Sequence, residues 1–528
     1  MSRSEKSRKI IERIIVEGDL VLLTPTSLGN GDSDGLTDMS LLLDEIDGKA
    51  LLTGASIAGA LCNYLRECLL NFEVSEESQY KDTNGKRIKL KDASGNLIQD
   101  VNGKSVNKPL PIVTQLFGSL EDDGSQSYLI IDDALAKISE EDEREKRFKP
   151  KTELRDGVKI EGKTRIAEDG KKFDFELLEA DTTFKLRFEL LICEGQNRND
   201  LVSAFATALQ GFEKGEIHIG ARKRRGYGEC KVENWKFQKF DLTAKTGLLD
   251  WLKHDTNCLT VPRNISISTL ITNPIDIREY FELNAQFALD GSILIRSGSQ
   301  FSNKYQPDAV HLHSKRNGVD KPIISGTSLA GALRHRALKI CKTIGDENKA
   351  EILVDGMFGV DMNKKPKDQG SSRLEVKEKA LEIDNTLVQK RVKIDRFTGG
   401  AMDTALFDAV PVFSDGNEKA VTLSFKLRFK HDQKPECRDA EIGLLLLLLK
   451  DLWTSDLAIG GESSIGRGRL IGKKATLQKQ KNGRDEFNIN FDHTLNLTEE
   501  NRTKLNGFVT ELNSKLKPEA TNGEQNSN

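Results

Sequence analysis

The sequence predicts an α+β fold made of two tandem ferredoxin-like domains. Four segments of the 528-residue chain recur in the same order, which indicates an internal duplication into copy one and copy two. Each copy also runs strand, helix, strand and then strand, helix, strand, the order of a ferredoxin-like sheet with helices on one face. The paired segments are EGDLVLLT (17–24) and DGSILIRS (290–297), GASIAGAL (54–61) and GTSLAGAL (326–333), KIEGKTRIAEDGKKFDFE (159–176) and KIDRFTGGAMDTALFDAV (393–410), and IGARKRRGYGEC (219–230) and IGGESSIGRGRL (459–470).

The pairing sets the domain boundaries. Copy one is expected at 1–245 with a polar insertion at 73–110, rich in NG and SGN turn sequences, which explains why the spacing of the pairs shortens after the second. A linker at 246–262 leads to copy two at 263–496. The tail at 497–528 ends in KPEATNGEQNSN, whose composition cannot form a core, and we expect it to be disordered.

Composition excludes several classes of protein. The longest apolar block, at 444–449, is much shorter than the ~20 residues that span a bilayer. No secretory signal pattern opens the chain. The seven cysteines include no CxxC pair, which is typical of reduced thiols in a cytoplasmic protein and does not favour a structural zinc site. The formal net charge of −3 means that any surface for nucleic acid must be local.

Within each copy, the apolar pattern assigns the elements in order. An alternating strand comes first, and GASIAGAL or GTSLAGAL then forms a tight corner that opens an amphipathic helix. A further alternating strand, a second helix, the glycine-rich segment and a last strand complete the copy. The corner helices place on one face Ile57, Leu61, Tyr64, Leu65 and Cys68 in copy one, and Leu329, Leu333, Arg336 and Ile340 in copy two.

The corner and the glycine-rich segment are candidate anion sites. A helix N-terminus binds phosphate through free N–H groups, but Ser56 and Ser328 would equally serve as plain N-caps. In the glycine-rich segment of copy one, four like charges at 222–225 repel one another, which favours RNA backbone contact over a structural loop. No GK[ST] sequence follows, so the segment is not a P-loop.

An acidic loop precedes the corner of copy one. Its aspartates, at 32, 34, 38, 44 and 47, are typical of a turn, and they lack the glutamate spacing of a calcium-binding EF-hand. A functional alternative is a carboxylate beside a phosphodiester, holding a metal ion or accepting a proton. The matching loop of copy two keeps Asp308 and adds His311 and His313, which are acid–base candidates or ordinary surface residues.

The third pair of segments predicts a hairpin with a glycine-containing tip in each copy. Such a hairpin inserts between bases, packs on a neighbouring subunit or is purely structural. Its charged and apolar candidates are Lys159, Arg165, Lys393, Arg396, Phe397 and Met402.

Together these motifs resemble the RAMP superfamily of CRISPR-associated proteins. GASIAGAL and GTSLAGAL are similar to its helix-opening signature, QLFGSL and GMFGVD to its short downstream motif, and the third and fourth pairs to its central hairpin and glycine-rich loop. The pattern most resembles the backbone subunit of type III CRISPR effector complexes, with two copies fused as in type III-D complexes. The resemblance implies an RRM-like core with a thumb hairpin that kinks the guide–target duplex at regular steps.

The resemblance also implies partners and site residues. The partners are CRISPR RNA, single-stranded target RNA, further backbone subunits and the large polymerase-like subunit, with no membrane. RNA-binding positions are Ser56, Arg222, Lys223, Arg224, Arg225, Gly226, Tyr227, Gly228, Ser328, Arg334, Gly460, Gly461, Ser464, Gly466, Arg467 and Gly468.

In this family an aspartate before the corner cuts target RNA with a divalent metal, for which Mg²⁺ is expected. The family spacing, counted back from Gly54, gives Asp38 as catalytic residue and metal ligand, with Asp34 as second choice. The same count from Gly326 gives Val310, so Asp308 serves only if the loop has slipped, and copy one is the expected active copy. The alternatives are a non-catalytic RNA-binding scaffold and a metal-independent, guide-processing endoribonuclease.

Overall fold

The computed structural model describes residues 8–29, 40–72, 111–119, 125–137, 150–161, 167–253, 263–297, 307–360, 370–416 and 419–518. In copy one the strands are β1 (Ile10–Leu22), β2 (Leu51–Leu52), β3 (Leu129–Ile131), β4 (Ala134–Leu135), β5 (Thr152–Ile160), β6 (Ala167–Leu178), β7 (Thr183–Cys193), β8 (Cys230–Asp241) and β9 (Arg263–Asn264). Its helices are α1 (Gly54–Leu70), α2 (Ile112–Phe117), α3 (Arg198–Glu213) and α4 (Lys245–Leu252).

Copy two repeats this plan. Its strands are β10 (Tyr280–Asp290), β11 (Ser292–Ile293), β12 (Ala309–Val310), β13 (His313–Arg316), β14 (Val319–Ile324), β15 (Leu374–Val376), β16 (Lys379–Ala380), β17 (Asn385–Thr386), β18 (Gln389–Ile394), β19 (Ala401–Val410), β20 (Val412–Phe413), β21 (Val421–Arg428), β22 (Arg469–Lys481) and β23 (Arg484–Asp492). Its helices are α5 (Gly326–Ile344), α6 (Glu347–Phe358), α7 (Pro435–Trp453) and α8 (Glu499–Leu516).

The two main sheets confirm the ferredoxin-like prediction. Copy one has the strand order β3-β7-β1-β8-β9 and copy two the order β15-β21-β10-β22-β23. In copy one, β1 lies between β7 and β8, and in copy two, β10 lies between β21 and β22. All four pairings are antiparallel. The helices α1 and α3 cover one sheet and α5 and α7 the other, so each copy has a core of its own. The predicted core face of α1, from Ile57 to Cys68, is buried.

Strand register corrects one of the four segment pairs. Leu22 of β1 pairs with Cys230, and Leu289 of β10 pairs with Leu470. Cys230 and Leu470 each lie two residues after the last glycine of their loop, Gly228 or Gly468. Leu22 therefore corresponds to Leu289. The sequence match of 17–24 with 290–297 was therefore wrong by several residues, because an alternating strand pattern aligns with itself at any even shift.

Two expected boundaries also change. Strand β9 pairs with β8 of copy one and Ile267 lies in the core of copy one, so the segment at 263–271 extends copy one instead of opening copy two. The expectation of a disordered tail from 497 is wrong over α8, which buries Phe508, Leu512 and Leu516 against α7 and its neighbours. Those three side chains recur every four residues, which is the spacing of one helix face.

The third pair of segments forms a hairpin in each copy, as predicted. In copy one β5 pairs with β6, and in copy two β18 pairs with β19, both antiparallel. We call these hairpins thumb one and thumb two. The insertion at 73–110 and the acidic loop at 30–39 lie outside the described residues.

Candidate nucleic-acid interface

The two glycine-rich loops have almost the same backbone. Each consists of a left-handed residue, one 3-10 turn and a left-handed glycine: Arg222, Lys223–Arg225 and Gly226 in copy one, and Glu462, Ser463–Ile465 and Gly466 in copy two. Two residues later, Gly228 and Gly468 also have positive φ, of 73° and 76°, and a Cβ on either would overlap a backbone carbonyl oxygen, that of Ile219 or of Ile459. The glycine spacing thus satisfies the loop's own packing, because only glycine fits there without strain.

The loop of copy one docks on the corner of copy two. A Cβ on Gly326, at the start of α5, would overlap the carbonyl oxygen of Arg225 and approach that of Val376. Likewise, a Cβ on Gly226 would overlap the backbone nitrogen of Glu378. Two backbones therefore touch where each has a glycine, and we call this contact between the copies the joint.

The joint engages the arginine run of copy one. Arg224 forms an ion pair of 3.3 Å with Glu375, and Arg225 donates a 3.0 Å hydrogen bond to the carbonyl oxygen of Phe358. Burial, and then the charge of Arg334, lower the pKa of Arg225 to about 10. Copy two thus supplies partners for two of the four charges at 222–225, without any RNA.

The remaining residues of that loop differ in exposure. Arg222 is exposed, and its guanidinium lies 4.4 Å and 4.5 Å from the ring centres of Phe173 and Phe175 in thumb one. Tyr227 is buried edge-on against Phe175, and burial raises the pKa of its hydroxyl to about 12. Lys223 is half-buried, and burial followed by the charge of Arg224 lowers its pKa. Of these three residues, Arg222 is the exposed one, and its guanidinium already stacks on thumb one.

At the corners, the N-caps precede the predicted serines by three residues. Thr53 accepts a hydrogen bond from the backbone N–H of Ser56, and Ser325 accepts one from that of Ser328. The hydroxyl groups of Ser56 and Ser328 are therefore not the N-caps. Ser56 is exposed, whereas Ser328 is half-buried beneath the joint.

Two further predicted arginines already have protein partners. Arg334 donates to the carboxylate of Asp355 and to the carbonyl oxygen of Gly359. Arg467 is 3% exposed, pairs with Glu462 at 3.2 Å and donates to the side chain of Gln389 in thumb two. Both guanidinium groups stabilise the loops around them.

In the loop of copy two, the predicted positions are more open. Gly460 and Ser464 are exposed, and Gly461 donates its N–H to the carbonyl oxygen of Leu294 at 2.7 Å. Gly466 is half-buried, and Gly468 is buried with its N–H bonded to Ser292. The exposed part of this loop is therefore Gly460 and the 3-10 turn.

Of the three catalytic candidates, the structure places one. Asp34 and Asp38 lie outside the described residues. Asp308 is exposed, and one of its carboxylate oxygens accepts the backbone N–H of Asp408 at 2.8 Å, which attaches the loop to β19. This bond gives Asp308 a structural role in copy two.

The nearby histidines are not free acid–base groups. His311 is 1% exposed, accepts the N–H of Ile295 at Nδ1, and donates from Nε2 to the carbonyl oxygen of Ile323 at 3.0 Å. Burial, followed by the neighbouring His313, lowers the pKa of His311 to about 4, so its imidazole is neutral at pH 7. His313 is half-buried and bonds through Nδ1 to the carbonyl oxygen of His311.

Metal binding finds no support among the residues that the structure describes. In that part of the chain, no three His, Cys, Asp or Glu side chains converge on one point. Asp308 has one carboxylate oxygen bonded to backbone, and among those residues it is not joined by two further side chains of this kind. No catalytic step through a metal is derived from these residues.

Thumb two carries several exposed side chains. Phe397 at its tip is 99% exposed, Ile394 61% and Met402 39%, and the flanking Lys393 and Arg396 are exposed too. In thumb one, Lys159 forms a 3.3 Å ion pair with Glu168, and Arg165 lies outside the described residues.

The tip of thumb two is held by Asp395, which was not among the predicted site residues. A carboxylate oxygen of Asp395 accepts the backbone N–H groups of Phe397, at 2.6 Å, and Thr398, at 3.3 Å. The backbone of Asp395 also pairs with Gly400. This turn fixes the backbone beneath Phe397, and the signal for it was the D-x-x-x-G turn sequence itself.

The acids of the joint were missed as well. Glu375 and Glu378 are 3% exposed, and Glu378 pairs with Arg155 of thumb one and Arg316 of β13. An acidic residue within a strand that is otherwise apolar, as in LEV (374–376), indicates a buried ion partner.

Comparison with protein families agrees with this architecture. A family model, RAMPs: RAMP superfamily, matches residues 19–231 and 307–471, which is more than half of the chain. The chain belongs to the RAMP superfamily. The two matched regions correspond to the two copies, so the protein is a tandem RAMP, and membership suggests a subunit of a type III CRISPR-associated complex.

RAMP membership also implies association with CRISPR RNA and with other effector subunits. No curated protein matches the chain. Over the described residues, none of the helices has the length and apolar character needed to cross a membrane.

Proposed function

We propose that this tandem RAMP is a backbone subunit of a type III CRISPR ribonucleoprotein, that it binds CRISPR RNA, and that it cuts complementary target RNA. The observation that carries the RNA-binding part is the surface of thumb two. There, cations and large apolar side chains alternate on a hairpin whose tip is exposed on all sides. Nucleobases stack on such side chains while lysine and arginine contact the phosphates.

The exposed Phe397 is the central residue of this proposal. An apolar side chain that is 99% exposed at a tip fixed by Asp395 gains free energy when a base or a base step covers it. Lys393 and Arg396 lie beside it to hold the strand. In copy one, Arg222 and Ser56 are the exposed candidates for backbone contact.

RNA binding is tested with Phe397→Ala. Stacking on one aromatic side chain is worth about 1–3 kcal/mol, so the variant should bind single-stranded RNA roughly five- to a hundredfold more weakly. Filter binding of a labelled RNA measures this, with Ile352→Ala as control because Ile352 is 72% exposed on α6, outside the thumbs. Equal affinities for wild type and Phe397→Ala would contradict a stacking role.

For cleavage, we propose Asp38 of copy one as the catalytic carboxylate, with a divalent metal, Mg²⁺ by preference, and Asp34 as second choice. This rests on the resemblance and on the family spacing counted from Gly54. The RNA-loaded protein should cut labelled target RNA in Mg²⁺ and not in EDTA, and Asp38→Asn should stop cutting while leaving RNA binding intact. Cutting that persists in EDTA would instead support a metal-independent nuclease.

A scaffold role is the second candidate for copy two, and one contact favours it. Because Asp308 bonds to the backbone of Asp408, its carboxylate is used in folding. Asp308→Ala should then lower thermal stability without changing the number of cuts in a target. Loss of one specific cut at unchanged stability would assign Asp308 a catalytic role.

A further inference from the structure

Two adjoining cavities lie between the copies, beside the joint. The larger, of about 290 Å³, is bounded by α1 of copy one and, in copy two, by the residues just before β15 and the end of β21. The smaller, of about 210 Å³, lies between the end of α3 and the main sheet of copy two. Arg224 of the joint lines the larger cavity and Glu375 the smaller one, and Phe72 and Arg428 line both. We call the two cavities together the cleft.

The wall of the cleft on the copy-two side is the polar face of its main sheet. Along β21, Leu423 and Leu427 belong to the core, whereas Ser424, Lys426 and Arg428 alternate with them and line the cleft. The polar face of an antiparallel sheet commonly lies in water. Here copy one covers it, and Ser424 is 8% exposed. The charged groups on this face therefore lose water, which costs free energy unless groups of opposite charge compensate them.

The larger cavity is lined mainly by positive side chains. Arginines from both copies line it, and among the residues that the structure describes one acid lines it with them. The arginines are Arg66 and Arg224 of copy one and Arg373 and Arg428 of copy two, and the acid is Glu67 of copy one. A guanidinium is a planar fork of N–H donors that matches the oxygens of a phosphate group. The lining thus has the donors that a phosphate site needs.

Ion pairs at the larger cavity leave Arg428 incompletely bonded. Its two terminal nitrogens lie 3.2 Å from Glu67 and 3.1 Å from Glu375, and Glu375 also receives Arg224 at 3.3 Å. Within the part of the chain that the structure describes, the buried Nε of Arg428 has no hydrogen-bond partner. Because a buried donor without a partner costs free energy, an acceptor that reaches this guanidinium is stabilised.

In the smaller cavity, Lys426 is the cation with the weaker compensation. Arg278 lies 3.0 Å from Glu216 and 2.6 Å from Asp276, whereas Lys426 is 3.7 Å from the shared Glu216. Burial lowers the pKa of Lys426, and Glu216 acts in the opposite direction, but Arg278 and Arg428 lower the pKa further. The ammonium group therefore lies among other cations with one carboxylate divided between it and Arg278.

The acids of the cleft respond to the same cations. Burial by itself raises the pKa of Glu216 and of Glu375, but the cations around them lower both values to about 2. Burial, followed by the charge of Arg428, lowers the pKa of Arg224 as well. Neighbouring positive charge lowers the pKa of an acid and of a base alike, so positive charge prevails at these positions.

We propose that the cleft binds a small compound with two or more linked phosphate groups, held between Arg224 of copy one and Lys426 and Arg428 of copy two. Two linked groups are inferred because each of the adjoining cavities has its own incompletely compensated cation. Cavities of this size suit a small molecule, whereas an RNA strand needs an open groove along which its backbone continues. The exposed Ser371 lines the larger cavity, which gives the ligand access from solvent. Because the ligand contacts both copies, it stabilises the contact between them.

Isothermal titration calorimetry of the RNA-free, full-length protein with inorganic pyrophosphate tests this proposal. We expect saturable binding, weaker binding of orthophosphate, and a melting temperature that rises with the pyrophosphate concentration. Lys426→Met should weaken pyrophosphate binding about tenfold or more, because a charge-assisted contact is lost. The variant should still fold, because methionine fills similar space and a buried charge is removed.

The matched control is Lys504→Met. Lys426 lies over the ring of Tyr280, 3.8 Å from its centre, and Lys504 lies over that of Phe487 at 4.7 Å, but on α8 and outside the lining of the cleft. A second variant, Ser371→Asp, adds a negative charge at the exposed edge of the larger cavity and should also weaken binding, whereas Ser514→Asp, exposed on α8, should not. Melting by circular dichroism checks that each variant folds.

Several results would overturn the proposal. They are the absence of saturable heat at millimolar pyrophosphate, equally tight binding of sulfate at the same ionic strength, and unchanged affinity in Lys426→Met. Displacement of pyrophosphate by single-stranded RNA, with both ligands weakened by Lys426→Met, would assign the cleft to RNA and reject a small ligand. Phe397→Ala, which tests RNA binding on thumb two, should leave pyrophosphate binding unchanged, so this proposal and the proposed RNA function can fail separately.

Discussion

Replacing Glu375 by glutamine should destabilise the protein strongly at neutral pH. The carboxylate is 3% exposed and faces Arg224 at 3.3 Å and Arg428 at 3.1 Å. Burial by itself raises the pKa of Glu375, but His218, Arg428 and Arg224 together lower it to about 2. Against an ordinary glutamate, that difference corresponds to about 3 kcal/mol of stability. Breaking a buried ion pair costs a similar amount, about 3–5 kcal/mol.

The sign of the pH dependence follows from the lowered pKa. Because the folded-state pKa of Glu375 lies below its unfolded value, the stabilisation is complete above about pH 4.5 and is lost as the pH falls towards 2. Urea unfolding followed by circular dichroism should therefore show a gap of about 3 kcal/mol between wild type and Glu375→Gln at pH 7, and a smaller gap at pH 3. Glu500→Gln, on the exposed face of α8, is the control. A gap that is equal at both pH values, or below about 1 kcal/mol at pH 7, would refute the reasoning.

Three further predictions concern single residues. Gly228→Ala should lower the free energy of unfolding by about 1–3 kcal/mol, because Gly228 has a φ of 73° and no room beside the carbonyl of Ile219. Gly59→Ala, on an open face of α1, should raise the free energy of unfolding by about 0.5–1 kcal/mol. Urea unfolding compares the two variants, and equal effects would contradict the packing argument. His311 should stay neutral until the pH approaches about 4. Because that folded-state pKa lies below the ordinary value, the neutral ring stabilises the fold fully above about pH 6.5, and this stabilisation is lost on acidification. NMR titration of the ring measures the pKa, and a value near 6.5 would disprove the prediction. Asp395→Ala should weaken RNA binding without changing the melting temperature, because it releases the exposed tip of thumb two. Filter binding measures the affinity and calorimetry the melting temperature. Unchanged affinity would count against a positioning role for Asp395.

The sequence was sufficient for the fold because its signals are local. Alternating strands, the face of α1 from Ile57 to Cys68 and the glycines of the loops each follow from a few neighbouring residues, and the structure has all of them. Helix α8 was missed because the polar residues around Phe508 and Leu512 lower the average hydrophobicity, although one face repeats as a helix requires.

The candidate site was harder to predict because its partners are distant in the chain. A run of arginines at 222–225 gives no indication that Glu375 and the carbonyl of Phe358 receive two of them more than a hundred residues later. Charge patterns show that a partner is needed, but both an acid in a buried strand and a phosphate satisfy that need. Whether a protein acid or a phosphate is the partner depends on how exposed the arginine is, and that exposure is set by how the two copies pack together.

The way the copies meet gives the molecule a direction. A dimer with two-fold symmetry would present the same surface at both extremities and would have no beginning or end along a bound strand. In the joint, the loop of copy one meets the corner of copy two, so the two copies follow one another in a fixed order. An RNA bound across both copies, as proposed above, would therefore meet different surfaces at its 5′ and 3′ ends, and the covalent fusion makes the order of the copies independent of protein concentration.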